Sequence, residues 1–204
     1  EIESMPTETL AEIDSLINQF LGIKEIRMSN IHNLFRRLQI VPRESDKPID
    51  IEMASSGQMS TLPIVLIAKA WFGWHPEERP RFLHIEEPEA SLHPWAQVAL
   101  VNLLAYLVNH GMKLVITTHS LYILSAINNL LLAQEKLADK PLPNMPRPSI
   151  RLSPNQVAAY ICTGGTVENI FDEDNQIDES LLGDILGNLE TQFSRMMNYK
   201  IVWE

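Results

Sequence analysis

The stretch from Arg81 to Leu92, RFLHIEEPEASL, constrains the fold of this chain more than any other. An apolar run ends here in two adjacent carboxylates, Glu86 and Glu87, and Pro88 stops the strand at once. A run of this kind indicates a strand buried in a parallel sheet. Ligands of open α/β sheets lie beyond the carboxyl ends of the strands, so both acids are placed for metal or proton chemistry. Held so close together, they also require a cation or a shared proton.

Two further segments accompany this strand. Residues 112–120 read MKLVITTHS, which predicts a second apolar strand that ends beside His119. Residues 54–58 read ASSGQ, and their small side chains and the free N–H groups of the helix that follows can grip a phosphate. The ordinary alternative is a serine cap at a helix start. Because proline is tolerated only near the first turn, Pro63 predicts that this helix begins at Ser60 or later, or kinks.

The order of these motifs resembles the second half of an ABC-type ATPase head. It is most similar to the stand-alone ATPases of the RecF, SMC and OLD (overcoming lysogenisation defect) kind. In that family the signature reads LSGGQ or similar, the Walker B strand ends in an acid pair, and a switch histidine ends the next strand. The segment EEPEASLHP resembles the OLD-type branch, where Glu often replaces the usual Walker B Asp. The resemblance extends from Ile49 to Leu131.

The resemblance implies a role for each residue at the two strand ends. Glu86 would hold Mg²⁺ through water, since Mg²⁺ keeps several of its waters in proteins. Glu87 would orient and deprotonate the attacking water. His119 would hydrogen-bond the γ-phosphate or that water. ATP and Mg²⁺ are therefore the expected cofactors.

The resemblance also implies which residues contact a nucleotide across a dimer. In the family, the signature segment grips the γ-phosphate of ATP held by the opposite subunit. Ser55, Ser56, Gly57 and Gln58 occupy that segment here. His93 lies in the D-loop position, where an Asp usually stands, although LHP is common among OLD-like heads. We therefore expect a homodimer, or a pair with a second ATPase head, joined through the signature segment.

The expected fold class is α/β, with a mainly parallel sheet flanked by helices. It corresponds to an incomplete P-loop NTPase lobe with a small C-terminal β-hairpin and helix. Four segments are predicted: an N-terminal helical segment and strand over 1–53, the motif-bearing lobe over 54–135, a Pro-rich loop over 136–155, and the hairpin and helix over 156–204.

Two stretches near the N-terminus are read from periodicity. Apolar residues recur at helical spacing over 7–21. The region 23–41 is ambiguous, and Ile31, Leu34, Phe35 and Leu38 suggest a second short helix there. Alternation over 49–53 favours a half-buried strand.

Composition restricts the setting. The formal net charge is −10, and the basic cluster of Arg36, Arg37 and Arg43 is best read as a solvated helix face. Any contact with nucleic acid is therefore expected through another part of the protein. A single cysteine, Cys162, is typical of a reducing compartment, so we expect a cytoplasmic protein. No window reaches the ~18 uncharged apolar residues of a membrane span.

The sequence contains no G-x-x-x-x-G-K-[ST] motif, because no glycine is followed by lysine. Without that loop one chain cannot hold the β- and γ-phosphates itself. Three explanations are open: a fragment of a longer ATPase, one half of a split ATPase, or a degenerate head kept for assembly. The start at Glu1 rather than Met favours the first. We expect the chain alone not to hydrolyse ATP.

Three functions follow from these motifs. The first is a nucleotide-gated dimeric head coupled to an effector such as a nuclease, in DNA repair or phage defence. The second is a non-catalytic head that serves as a dimerisation or binding module. The third is a metal hydrolase that uses Glu86, Glu87, His93 and His119, which is weakened because no H-E-x-x-H spacing is present.

Overall fold

The computed structural model describes residues 7–31, 35–75 and 77–197. Five helices and seven strands lie within these ranges. The helices are α1 (Thr7–Leu21), α2 (Ser56–Gly73), α3 (Pro94–Asn109), α4 (Leu121–Leu137) and α5 (Ser180–Met197). The strands are β1 (Ile23–Ile31), β2 (Phe35–Pro42), β3 (Ile49–Asp50), β4 (Phe82–Glu86), β5 (Lys113–Thr117), β6 (Tyr160–Thr163) and β7 (Thr166–Asn169). Short 3₁₀ turns lie at Ile51–Met53, Pro148–Ile150 and Pro154–Gln156.

The region after α1 is an antiparallel hairpin, so the prediction of a second short helix there is wrong. Ile26 of β1 faces Ile40 of β2, and Met28 faces Leu38. These apolar cross-strand pairs stabilise a sheet, and tertiary pairing overrides the weak helical spacing. Leu34, one of the residues behind that prediction, lies outside the described ranges.

The basic cluster lies on this hairpin rather than on a helix face. Arg36 and Arg37 belong to β2, and Arg43 follows that strand. Arg37 pairs with Asp50 at 2.5 Å, and Arg43 donates to the Asn18 carbonyl. Two of the three arginines therefore contact other parts of the fold.

Two boundaries around the signature segment differ from the prediction. The strand expected over 49–53 ends at Asp50, and the next residues form a 3₁₀ turn that buries Ile51 and exposes Met53. Helix α2 begins at Ser56 with Pro63 inside it, so of the two alternatives, a start at Ser60 or later and a kink, the later start is wrong. The proline removes one helical hydrogen bond, which the long apolar packing of α2 tolerates.

Helix α3 is the centre of the core. Its buried apolar residues are Ala99, Leu100, Val101, Leu103, Leu104, Ala105, Tyr106 and Leu107. It packs against α1, α4 and β5, which explains why apolar residues occur nearly all round it. Each fully buried leucine contributes about 1.5–3 kcal/mol relative to an exposed one. Gly111 follows the helix with φ of 99°, as expected for a left-handed cap.

Strands β4 and β5 pair in parallel, which confirms the expected α/β class with a parallel sheet flanked by helices. Leu83, Ile85, Leu114 and Ile116 face the core. The other face, which includes Phe82, His84 and Val115, is exposed. The parallel sheet of the described residues consists of these two strands.

The C-terminal part contains the expected hairpin and helix. Strands β6 and β7 are antiparallel, and Gly164 and Gly165 both adopt positive φ in the turn between them, which two-residue hairpins favour. Helix α4 extends to Leu137, into the segment predicted as a Pro-rich loop. Buried Arg151 donates to the carbonyls of Ala138, Lys140 and Pro146, so it holds the loop that follows α4.

Among the helices that the structure describes, none combines the length and the apolar character that crossing a bilayer requires.

Tyr106 is a buried ionisable group in the middle of this core. Burial raises the pKa of its hydroxyl, and the negative charge of Glu12 raises that pKa further. The Thr9 hydroxyl and Arg147 act in the opposite direction. The folded chain therefore holds Tyr106 neutral at pH values where an unfolded tyrosine ionises.

This arrangement predicts a loss of stability in alkali. The contribution of Tyr106 to the free energy of unfolding is fully present below pH 10 and falls as the pH rises towards its raised folded pKa. Urea unfolding at several pH values between about 9 and 11 measures the slope. Tyr106→Phe should reduce that slope, whereas Tyr122→Phe, at an exposed position, should leave it unchanged. An equal slope in the Tyr106 variant would contradict the account.

Candidate functional site

The two predicted strand ends meet at one edge of the parallel sheet. Glu86 is the register partner of Thr117, the last residue of β5. One residue further on, the Glu87 N–H donates to the Thr117 carbonyl at 2.9 Å. The backbone therefore holds the first residue after β4 against the end of β5, independently of any contact between side chains.

Glu87 has an unusual backbone conformation, with φ of 42°. Positive φ is uncommon for a residue with a Cβ and costs about 1–3 kcal/mol at such sites. Residues held this way cluster at functional sites, where the surrounding structure compensates for the strain. The hydrogen bond to Thr117 is one part of that compensation here.

The side chains of Glu87 and His119 lie side by side. Their closest atoms, Glu87 Oε1 and His119 Nε2, are 3.7 Å apart. Both side chains are open to solvent, at 60% and 85% exposure. An ion pair this exposed contributes little stability, so the backbone and not the pair sets the geometry. The predicted base and the predicted switch histidine thus lie side by side at the edge of the sheet, open to solvent.

Glu86 ends β4 as an exposed carboxylate on the same face as Phe82 and His84. Within the described ranges, no group of three or more His, Cys, Asp or Glu side chains could hold a metal ion. The metal-hydrolase alternative needed such a cluster from Glu86, Glu87, His93 and His119. A single carboxylate beside a phosphate is instead an arrangement that Mg²⁺ uses, since it keeps most of its waters.

The signature segment forms the start of α2 as a complete capping box. The Ser55 hydroxyl accepts from the Gln58 N–H at 3.3 Å, and the Gln58 side chain accepts from the Ser55 N–H at 3.1 Å. Gln58 also donates to the Leu21 carbonyl at 2.9 Å. The side chain of Gln58 is therefore committed to structure. Ser56 and Gly57 retain N–H groups that a helix cannot satisfy internally.

The same segment packs against the loop that follows the acid pair. A Cβ on Gly57 would lie 2.8 Å from the Ser91 carbonyl oxygen and 3.1 Å from Leu92 Cδ2. The Ser60 hydroxyl donates to the Ala90 carbonyl at 3.2 Å. Ser91 itself has φ of 64°. Only a glycine at position 57 allows the two backbones to approach so closely.

His93 caps α3, with its ring Nδ1 accepting from the Trp95 N–H at 3.4 Å. Its side chain is exposed at the end of the 90–93 loop. The structure therefore brings Glu87 and His119 together, whereas His93 belongs to the neighbouring helix start. Trp95, near it in the first turn of α3, is 80% exposed.

Two residues near Glu87 and His119 could not be identified from the sequence. Glu89 accepts from the Thr118 hydroxyl at 2.6 Å and from the His119 N–H at 2.8 Å. Gln97 accepts from the Ser120 hydroxyl at 2.5 Å and donates to the Leu92 carbonyl at 3.0 Å. In the sequence, Glu89 is marked only as the third acid of the EEPE segment, and no feature marks Gln97.

Comparison with solved structures shows a fold similar to that of SMC ATPase heads. One matching chain comes from work on ATP-driven dimerisation and DNA-stimulated activation of SMC ATPases, with a TM-score of 0.53 and 9% identity. The match covers 89% of this chain and 91% of that one. The Smc head domain of Pyrococcus furiosus with an extended coiled coil, bound to the C-terminal domain of ScpA, matches at a TM-score of 0.47 and 12% identity, over 89% of this chain and 37% of that one.

The family follows from the sequence. The family model for the AAA ATPase domain matches residues 2–124, which include the signature segment, the acid pair and His119. The chain belongs to this AAA ATPase domain family. No curated protein sequence matches it.

The contact between Gly57 and Ser91 predicts a destabilised variant. Gly57→Ala places a methyl group against a backbone oxygen that cannot rotate away, so unfolding should become easier by about 1–3 kcal/mol. Gly73→Ala is the matched control, because a Cβ there meets nothing within 4 Å, and it should be neutral or mildly stabilising. Urea denaturation of both variants measures the difference. Equal stability of the two would show that the loop does not lie on α2.

Proposed function

We propose that this chain is the part of an ATP-hydrolysing head that supplies the general base, the switch histidine and the signature segment. The observation that supports this proposal best is the conformation and surroundings of Glu87. This residue combines a strained backbone at a strand end with a solvent-exposed carboxylate 3.7 Å from His119. Two polar groups that lie close together at a strained strand end are better explained by a role in activating water than by a role in stabilising the fold.

In the proposed reaction, Glu87 accepts a proton from the water that attacks the γ-phosphate. The neighbouring His119 Nε2 orients that water or donates to a phosphate oxygen. Phosphoryl transfer is mostly positioning and charge stabilisation, so this small set is sufficient. Bound Mg²⁺ would neutralise phosphate charge, and the exposed Glu86 carboxylate is the group available to hold it through water.

The signature segment would act on a second head. The Ser56 N–H and the Ser55 hydroxyl lie exposed at the start of α2, where anions bind favourably, whereas Gly57 is buried and lets the 90–93 loop approach the helix. We propose that the two serine groups contact the phosphates of a nucleotide held by the partner, so that ATP joins two heads. ATP-driven dimerisation is described for the SMC ATPases whose fold this chain shares, and that behaviour supports the proposed arrangement.

The phosphate-cradling loop would come from a further lobe. Parallel sheets are covered on both faces in nearly all proteins, yet Phe82 and Val115 are 60% and 47% exposed on the outer face of β4 and β5. Glu86 ends that same face. We propose that this face receives the lobe that carries the loop, whose lysine would complement the carboxylates at the strand ends.

The biological setting is proposed from resemblance alone. The OLD-like features favour phage defence or DNA repair, with a nuclease or another effector moved by head closure. DNA would contact the effector or another part of the protein, since this chain is acidic overall.

The chain alone is expected to release no phosphate from ATP, because its sequence lacks the loop that holds the β- and γ-phosphates. A malachite-green assay with ATP and Mg²⁺ measures this. Turnover that Glu87→Gln abolishes would contradict the prediction and show a complete site in this chain.

In the polypeptide or complex that also provides the phosphate loop, Glu87→Gln should lower kcat by about 10²–10⁴-fold, since it removes the base. It should also trap an ATP-dependent dimer, visible by light scattering. Glu168→Gln, on exposed strand β7, is the control and should change neither. An unchanged kcat in the Glu87 variant, with no ATP-dependent dimer, would favour the alternative of a degenerate head that serves only for assembly.

A further inference from the structure

Glu89 joins the loop after the acid pair to the loop after β5. A single oxygen, Oε1, accepts two hydrogen bonds, from the Thr118 hydroxyl at 2.6 Å and from the His119 backbone N–H at 2.8 Å. Bonds to a carboxylate are about twice as strong as neutral ones. The residue held by the second bond is the one whose ring lies beside Glu87.

The position of Glu89 is costly. Its second oxygen, Oε2, is buried and has no hydrogen-bond partner among the residues that the structure describes. A buried acceptor without a donor loses its bonds to water and gains nothing in return. Glu89 also adds a third carboxylate to a segment that already holds Glu86 and Glu87. The stability of the fold alone does not explain why an acid occupies this position. The need for its two hydrogen bonds, to Thr118 and His119, explains it.

A second contact acts in parallel. Gln97 links the Leu92 carbonyl to the Ser120 hydroxyl, and that hydroxyl also accepts from the Tyr122 N–H at the start of α4. The residue after His119 is thus held by Gln97, and the residue before it by Glu89. His119 itself makes its backbone bond to Glu89. Glu89 is therefore the contact closest to the histidine.

We propose that Glu89 is a positioning residue that holds the Thr118–Ser120 loop so that the His119 ring stays beside Glu87. It touches neither nucleotide nor water in this role. The functional meaning rests on the proposed ATPase, but the structural effect does not. It can therefore be measured on the chain itself, without nucleotide.

The test is the hydrogen-exchange rate of the His119 amide, measured by NMR and corrected for the global stability of each variant. Glu89→Ala removes the acceptor and should speed exchange at His119 about ten-fold or more. Glu89→Gln keeps an acceptor oxygen and should restore most of the protection. Thr118→Val removes the other bond to Glu89, together with the one that the Thr118 hydroxyl accepts from the Ser120 N–H, and should have a smaller effect on His119.

Glu179 offers a matched control, because its carboxylate accepts from Ser125 and Asn128 in another part of the fold. Glu179→Ala should leave exchange at His119 unchanged. The proposal is overturned if Glu89→Ala leaves His119 as protected as before, or if Glu89→Gln behaves like the alanine variant. Should the alanine variant fail to fold, Glu89→Met, which keeps the length of the side chain and removes both oxygens, takes its place with the same expected and contradicting results. Because no nucleotide is used, a negative result here leaves the proposed ATPase standing, and the reverse also holds.

Discussion

The hydrogen bond from the Glu87 N–H to the Thr117 carbonyl extends the parallel pairing of β4 and β5 by one residue beyond the strand. The site depends on this extension. Side-chain attraction between Glu87 and His119 is too exposed to set their distance. The backbone pairing of β4 with β5, which packs against α3, sets it instead. The positive φ of Glu87 is the local consequence, since the chain must turn at once into Pro88 while its N–H still reaches the neighbouring strand.

The loop after Glu87 connects this edge to the rest of the chain. On one side it lies against α2, where Gly57 meets the Ser91 carbonyl and Ser60 bonds Ala90. On the other side Glu89 and Gln97 hold the loop Thr118–Ser120. The start of α2 is therefore connected to His119 through an unbroken series of contacts in this loop. Such contiguity is compatible with coupling between a partner head and hydrolysis, and variants in the loop measure whether coupling exists.

Sequence reasoning worked where the physical signal was local. The two strand ends could be predicted because apolar runs end abruptly at Glu86 and at Thr117, and parallel strands present their carboxyl ends at one edge. The β1–β2 hairpin could not, because the spacing of residues such as Leu38 fits both a helix and a strand, and the cross-strand partner decides. The start of α2 was misplaced because packing outweighs the cost of Pro63. The hydrogen bond between Glu89 and His119 could not be predicted, because it joins two loops that are distant in sequence and produces no periodic pattern.

Glu87 and His119 lie side by side because the ends of β4 and β5 are in register. Nuclear Overhauser contacts in the isotope-labelled chain measure both the register and the contact. We expect backbone contacts that pair Glu86 with Thr117, together with contacts between the Glu87 side chain and the His119 ring. A well-dispersed spectrum of a folded chain in which these two side chains contact different neighbours, or in which the strands pair in another register, would contradict this expectation.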